Sequence, residues 1–268
     1  MFEVLIQEAK LRNFSTKTIE VYLYYNQHFL DFCHKKPTEV TTQDIRHYLL
    51  YLQEKRYSSS SINLAHNALN FYYQTIMRRS FSVPFQQREQ KMREILTQME
   101  IKTLLEVTPN QKHKLLIALL YATGVRVAEV IKIKVNDFDF SRKLLLIRQG
   151  KGKKDRYTII SEKIASQIQE YLRGDNTQNE YLFATPTGHI TDRTVQAVLK
   201  NARKKAKISK PVTPHVLRHS FATHLMEANV KTEFIQQLLG HRDLRTTRIY
   251  ERITTKHLES IPSPYDSL

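Results

Sequence analysis

Between Lys114 and Thr123 the chain runs LLIALLYA, with the hydroxyl of Tyr121 its sole polar side-chain group. A helix here is apolar on every face, and such a helix is stable only when other elements enclose it. The run is far too short to span a bilayer, so it must be the centre of a packed domain. Candidate enclosing helices follow at Ser161–Leu172, Asp192–Lys207, Pro214–Glu227 and Thr232–Leu239. The last two carry clear punctuation: Thr213 as N-cap with Pro214 in the first turn, and Gly240 just past the final C-terminus. Thr123-Gly124 ends or bends the central helix immediately before Arg126. Leu144–Arg148 and Arg156–Ile160 read as strands joined by the glycine- and lysine-rich turn QGKGKKD. Upstream, Thr97 and Glu100 form a capping box ahead of IKTLLEV.

The first eighty or so residues have a different texture. Val4–Leu11 is a short amphipathic piece. Ser15 caps a second helix that runs to Cys33 and is stopped by KKP at Pro37. Thr41 with Asp44 starts a third helix, and the serine run Ser58–Ser61 precedes a fourth. From Phe81 to Arg93 periodicity gives way to SFSVPFQQREQKM and its basic continuation, which reads as a linker. The expected architecture is mainly α: a four-helix N-terminal domain over 1–80, a linker over 81–94, an α+β domain with a small antiparallel sheet over 95–255, and a tail over 256–268.

Charge narrows the function. Lys and Arg number 42 against 26 Asp and Glu, a formal charge of +16. An excess of that size points to a polyanion, nucleic acid above all, and the basic linker is expected to lie along it. The start, MFEVLIQEAK, lacks the basic-then-apolar pattern of a signal peptide. The lone Cys33 allows no internal disulfide and suits a reducing compartment, so a cytoplasmic location is expected.

The chemistry concentrates between His215 and Tyr250. His215 and Arg218 share one helix face near an N-terminus, where backbone amides already favour anions. Arg218 can fork onto two phosphate oxygens while His215 donates or accepts a proton. His219 points elsewhere, towards packing or support of a neighbour. Further on, LLGHRDLRTTRIY places His241 after the helix-ending glycine and Tyr250 shortly beyond it. Cations around a phenol suit side-chain attack on a phosphodiester, and no metal-site signature accompanies them.

YATGVRVAEV, RQGKGKKDRYTI, TPHVLRHSFATHL and LLGHRDLRTTRIYERI resemble, in order and approximate spacing, the motifs of the tyrosine recombinases, or phage integrases, and most closely their simple two-domain Xer-like class. The resemblance implies a SAM-like core-binding domain followed by a catalytic domain. Carried onto this chain, it makes Tyr250 the nucleophile and Arg126 and Arg218 the clamp on the scissile phosphate. Lys151 becomes the acid for the departing 5′ oxygen, His215 the handler of the nucleophile's proton, and His241 a buttress that hydrogen-bonds the phosphate. Glu129 and His219 take supporting roles. The implied reaction is site-specific DNA recombination, by strand cleavage and rejoining through a 3′-phosphotyrosyl link and a Holliday junction. It needs no metal, ATP or other cofactor. The implied partners are a double-stranded recombination site, a homotetramer assembled on it, and for some members a second recombinase or accessory protein.

The basic segment Arg203, Lys204, Lys205 and Lys207, with Arg193 on the same helix, is expected to follow the phosphate backbone. The resemblance also implies that the tail docks on a neighbouring protomer, with Leu258 and Ile261 as apolar anchors. Two rival readings remain at this level: a type IB topoisomerase, which relaxes DNA by the same chemistry, and a basic architectural protein with coincidental site residues.

Overall fold

The computed structural model describes residues 2–87, 94–148, 155–174, 180–240 and 261–268. The chain divides into two compact units, Met1–Lys91 and Met92–Leu268, each with its own apolar core.

In the first unit, α1 (Glu3–Leu11), α2 (Thr16–Cys33), α3 (Thr42–Glu54) and α4 (Ser59–Asn70) form a helical bundle. The N-caps are those the sequence supplies. Ser15 accepts from the Thr18 amide, Thr41 and Asp44 form a reciprocal box, and Ser58 accepts from the Ser61 amide. α2 ends before KKP, because His34 turns left-handed with φ 51° and its amide bonds to the Leu30 carbonyl. Pro37 instead opens a short 3₁₀ turn. Phe29, Tyr48, Leu52, Ile62 and Leu69 fill the centre. Buried Asn26 ties α2 to α4 by donating to the Ala68 carbonyl at 3.0 Å.

The expected linker 81–94 does not behave as one segment. Phe81 and Val83 pack against the bundle core, and Asn63 exchanges two hydrogen bonds of 2.9 Å with the Gln86 backbone. Residues 81–87 therefore belong to the first unit, because their apolar side chains gain more from the bundle than from solvent; residues 88–93 lie outside those described.

In the second unit, α5 (Gln98–Glu106) starts at the Thr97–Glu100 capping box. α6 (Gln111–Thr123) contains the apolar run, and every residue from Leu115 to Thr123 is buried. It begins earlier than the apolar pattern suggests, since Asn110 caps it by accepting from the His113 amide. Gly124, at φ 59°, closes it. A Cβ there would sit 2.4 Å from Phe221, so glycine is required by both backbone and space. The short α7 (Val127–Val130) follows. β1 (Phe138–Asp139), β2 (Leu144–Ile147) and β3 (Arg156–Ile159) form an antiparallel sheet in that order, with Ile147 opposite Arg156. α8 (Glu162–Arg173) covers α6. The small hairpin β4 (Ala184–Thr185) and β5 (Gly188–His189) precedes α9 (Asp192–Ala206), which lies on α5. α10 (Pro214–Glu227) packs along α6, and α11 (Thr232–Leu239) packs on α10 and β3. β1 and the β4–β5 hairpin escape sequence reading because each strand is too short to show a period.

The end of the chain is anchored within the second unit. Residues 261–268 fold onto their own domain, with Tyr265 1% exposed between α6, α8 and α10. The Tyr265 hydroxyl donates to Gln167 at 2.9 Å, and the Lys163 ammonium stands 5.3 Å from its ring centre. Ile261 packs only at the margin of this core, so the large aromatic rather than the aliphatic residue is the anchor. Leu258 lies outside the described residues.

Candidate active site

Two helix C-termini meet at the site. α6 ends at Gly124 and α11 ends at Leu239, with Gly240 at φ 63° closing the second. Each end presents carbonyl oxygens without helical partners, a locally negative surface that attracts guanidinium groups. Arg218, on α10, joins both ends. One Nη donates to the Gly124 carbonyl at 2.6 Å and the other to the Leu239 carbonyl. Its side chain is buried. Burial, then the like charges of Arg126 and Arg156, push its pKa down to about 9, so it remains a cation at neutral pH.

Arg126 immediately precedes α7 and is held by Glu129 through a capping box. Its backbone amide and its Nη1 each donate to the Glu129 carboxylate at 2.8 Å, and its Nη2 donates to the Gly240 carbonyl at 3.2 Å. Glu129 is 8% exposed. Burial raises its pKa, but the hydrogen bonds and charge of Arg156 and the bonds from Arg126 outweigh that and bring it down to about 2. Glu129 thus holds Arg126 at both its backbone and its side chain.

Arg156 was not among the sequence candidates. It opens β3 and forks onto both Glu129 oxygens at 2.8 and 2.7 Å, while its Nε donates to the Leu238 carbonyl at 3.0 Å. Strand alternation puts Arg156 on one face with Thr158 and opposite Tyr157, and the structure shows that face to be the inward one, with Thr158 fully buried. A guanidinium on the inward face of a strand must meet a partner. Thr158 serves the same region by donating to the Thr123 carbonyl at 3.1 Å.

Three guanidinium groups and one carboxylate leave the cluster cationic. On one side, Arg126 and Glu129 line a cleft of ≈ 480 Å³ with Lys132, Lys134, Arg148 and Tyr181. On another, exposed His215 lines a cleft of ≈ 540 Å³ with Val127, Gln196, Lys200 and Arg203. His215 stands in the first turn of α10 and Arg218 one turn later, as the sequence spacing requires. His219 is half-buried on the same helix.

The structure thus brings Arg126, Glu129 and Arg218 together, with His215 one helical turn from Arg218. Lys151, His241 and Tyr250 lie outside the described residues. In the chain, Lys151 falls between β2 and β3, and His241 directly follows Gly240.

The expected phosphate-backbone residues separate. Arg193, Lys204, Lys205 and Lys207 are exposed. Arg203 instead folds back onto the Ile208 and Ser209 carbonyls, closing the turn after α9. Lys210 is likewise engaged, bonding Glu100 at 2.9 Å and the Ile95 carbonyl at 3.1 Å. Among the described residues no helix is long and apolar enough to cross a membrane.

The phage integrase family model matches residues 94–257, and that of the phage integrase N-terminal SAM-like domain matches residues 1–82. Tyrosine recombinase XerA of Pyrococcus furiosus is 37% identical over 263 residues, covering 93% of this chain and 88% of that one. Tyrosine recombinase XerC of Anoxybacillus flavithermus is 31% identical over 277 residues, covering 93% and 91%. Among solved structures, XerA recombinase is similar at a TM-score of 0.54 with 34% identity, covering 94% of this chain and 93% of that one. The XerH site-specific recombinase bound to its difH substrate reaches a TM-score of 0.73 at 22% identity, covering 92% and 79%. The chain belongs to the phage integrase family, the tyrosine recombinases, which cleave and rejoin DNA through a tyrosine nucleophile.

Proposed function

We propose that this protein is a site-specific recombinase in which Tyr250 attacks a scissile phosphate held by Arg126 and Arg218. The observation that carries the reading is the convergence of these arginines, far apart in sequence, on the backbone that leads directly into His241. In this reaction the Tyr250 oxygen forms a bond to phosphorus as the bond to the 5′ oxygen breaks. His215 accepts the phenol proton, and Lys151 delivers a proton to the leaving oxygen. A phenol titrates near pH ~10, so cationic neighbours and a proton acceptor are needed for attack at neutral pH. Arg126 and Arg218 stabilise charge that accumulates on the non-bridging oxygens of the transition state, with His241 as a further donor. The phosphotyrosyl link conserves the energy of the broken bond, so attack by a 5′ hydroxyl reseals the strand without ATP.

Double-stranded DNA is the partner this chemistry and the +16 charge call for. XerH, in its solved complex, is bound to difH. Exchange between two duplexes through a Holliday junction calls for four protomers on the DNA, in the cytoplasm where the chromosome lies. Exposed Arg193, Lys204, Lys205 and Lys207 supply sequence-independent backbone contacts.

The test begins with a duplex selected from random sequences for tight binding, nicked close to the cleavage point so that the released fragment diffuses away. Wild-type protein is expected to form a covalent protein–DNA adduct resistant to denaturant, and Tyr250→Phe to form none. Absence of an adduct with wild-type protein on its selected site would overturn the reading.

A further inference from the structure

The last three carbonyl groups before His241 are each taken by a different arginine. Leu238 accepts from Arg156, Leu239 from Arg218 and Gly240 from Arg126. Arg156 places all three guanidinium nitrogens on protein, with Nε on Leu238 and both Nη groups on Glu129. Its side chain is 12% exposed, against 22% for Arg126, while Arg218 is buried at 5% with both Nη groups on carbonyls. The glycine that follows makes room for it: a Cβ on Gly240 would lie 2.9 Å from Arg156 Cδ.

The arrangement answers an electrostatic problem. A buried carboxylate beside Arg126 holds that guanidinium in place but also cancels its charge. Were Arg126 the sole partner of Glu129, little net charge would be left for a phosphate. A second guanidinium that forks onto both carboxylate oxygens changes this, because the bidentate geometry satisfies Glu129 from the strand side. Glu129 then orients Arg126 through one short bond, while the excess positive charge remains on the side open to the cleft.

We propose that Arg156 is a positioning residue of this site, neutralising Glu129 so that the charge of Arg126 stays available to the scissile phosphate. This rests on the recombinase reading above and extends it to a residue that touches neither phosphate nor nucleophile.

Its action through Glu129 separates it from a merely structural contact. Single-turnover cleavage of the selected nicked duplex would be measured for wild type, Arg156→Gln, Arg156→Lys, Glu129→Gln and the double variants, together with duplex affinity and thermal melting. A Tyr250-dependent adduct from wild-type protein first establishes the reaction itself. Arg156→Gln is then expected to slow cleavage about 30-fold or more, with affinity within about 3-fold of wild type. Arg156→Lys, which keeps the charge but not the fork, should recover part of that loss. In the Glu129→Gln background the same Arg156 substitutions should cost less than about 3-fold, since coupled residues are not additive. Wild-type cleavage by folded Arg156→Gln, a loss confined to affinity, or equal losses in both backgrounds would overturn the proposal. If Arg156→Gln does not fold, Arg156→Lys carries the same comparison: an equal loss with and without Glu129, or no loss in either, overturns it.

Discussion

Glu129 is the residue on which the site's electrostatics turn. Its folded pKa of about 2 lies below the ordinary carboxylate value, so it binds protons more weakly folded than unfolded. The stability it contributes is therefore complete above pH ~4.5 and is lost as pH falls towards 2, with a magnitude on the order of 3 kcal/mol. Glu129→Gln should destabilise the protein at pH 7 by about that amount, since it strands the buried Arg156 cation. The gap from wild type should narrow as pH is lowered through 4; equal melting-temperature differences at pH 7 and pH 3 would contradict this. Arg218 is tuned in the opposite sense. Burial and its neighbours push it to about 9, which arginine tolerates because it starts so high. A lysine starts about two pKa units lower, so the same environment brings it near neutrality. Cleavage by Arg218→Lys is accordingly expected to fall as pH rises from ~6 to ~8, over a range in which wild-type Arg218 stays charged. The adduct assay across that range checks it.

At the scale of elements, two glycine-closed helix ends define the site more than any strand does. Gly124 and Gly240 are both left-handed, and at each a Cβ would collide with a packed side chain, core Phe221 in one case and Arg156 in the other. Gly240→Ala is expected to cost about 1–2 kcal/mol from backbone conformation alone, with further loss of cleavage as Arg156 is displaced. The terminal segment is a second element-scale feature. Tyr265→Ala should destabilise the protein by about 3–5 kcal/mol, as for other large buried aromatics, whereas Tyr265→Phe loses one hydrogen bond worth about 1 kcal/mol. Thermal melts of the two variants test whether packing or the Gln167 contact dominates. Several helix starts were legible because Ser15, Thr41, Ser58, Thr97 and Thr213 each act over three residues. α6 was legible because an unbroken apolar run admits only burial. The two-residue strands were not, and neither was the left-handed turn at His34 that closes α2, whose positive φ has no glycine to announce it.

For the whole molecule, separate cores in Met1–Lys91 and Met92–Leu268 lead us to expect two calorimetric transitions, or two independently folding fragments cut within 88–93. The charge of +16 leads to steeply salt-dependent DNA binding, with a slope of about −0.9 in log–log form per neutralised phosphate. Charge-reversal at Lys204, Lys205 and Lys207 together should reduce that slope, and an unchanged slope would remove these residues from the interface. The sequence by itself determined the family, the helical order and the candidates Arg126, Glu129, His215 and Arg218, because motif spacing, caps and apolar periodicity are local properties of a chain. Only the tertiary structure decided that Arg203 and Lys210 serve their own backbone and a neighbouring helix, that Tyr265 buries itself in its own domain, and that Arg156 completes the support of Glu129. Those roles depend on which carbonyl or carboxylate lies within about 3 Å of a guanidinium or ammonium group, and residues 82 positions apart, as Arg156 and Leu238 are, meet only when the fold brings two helix ends and a strand to one point.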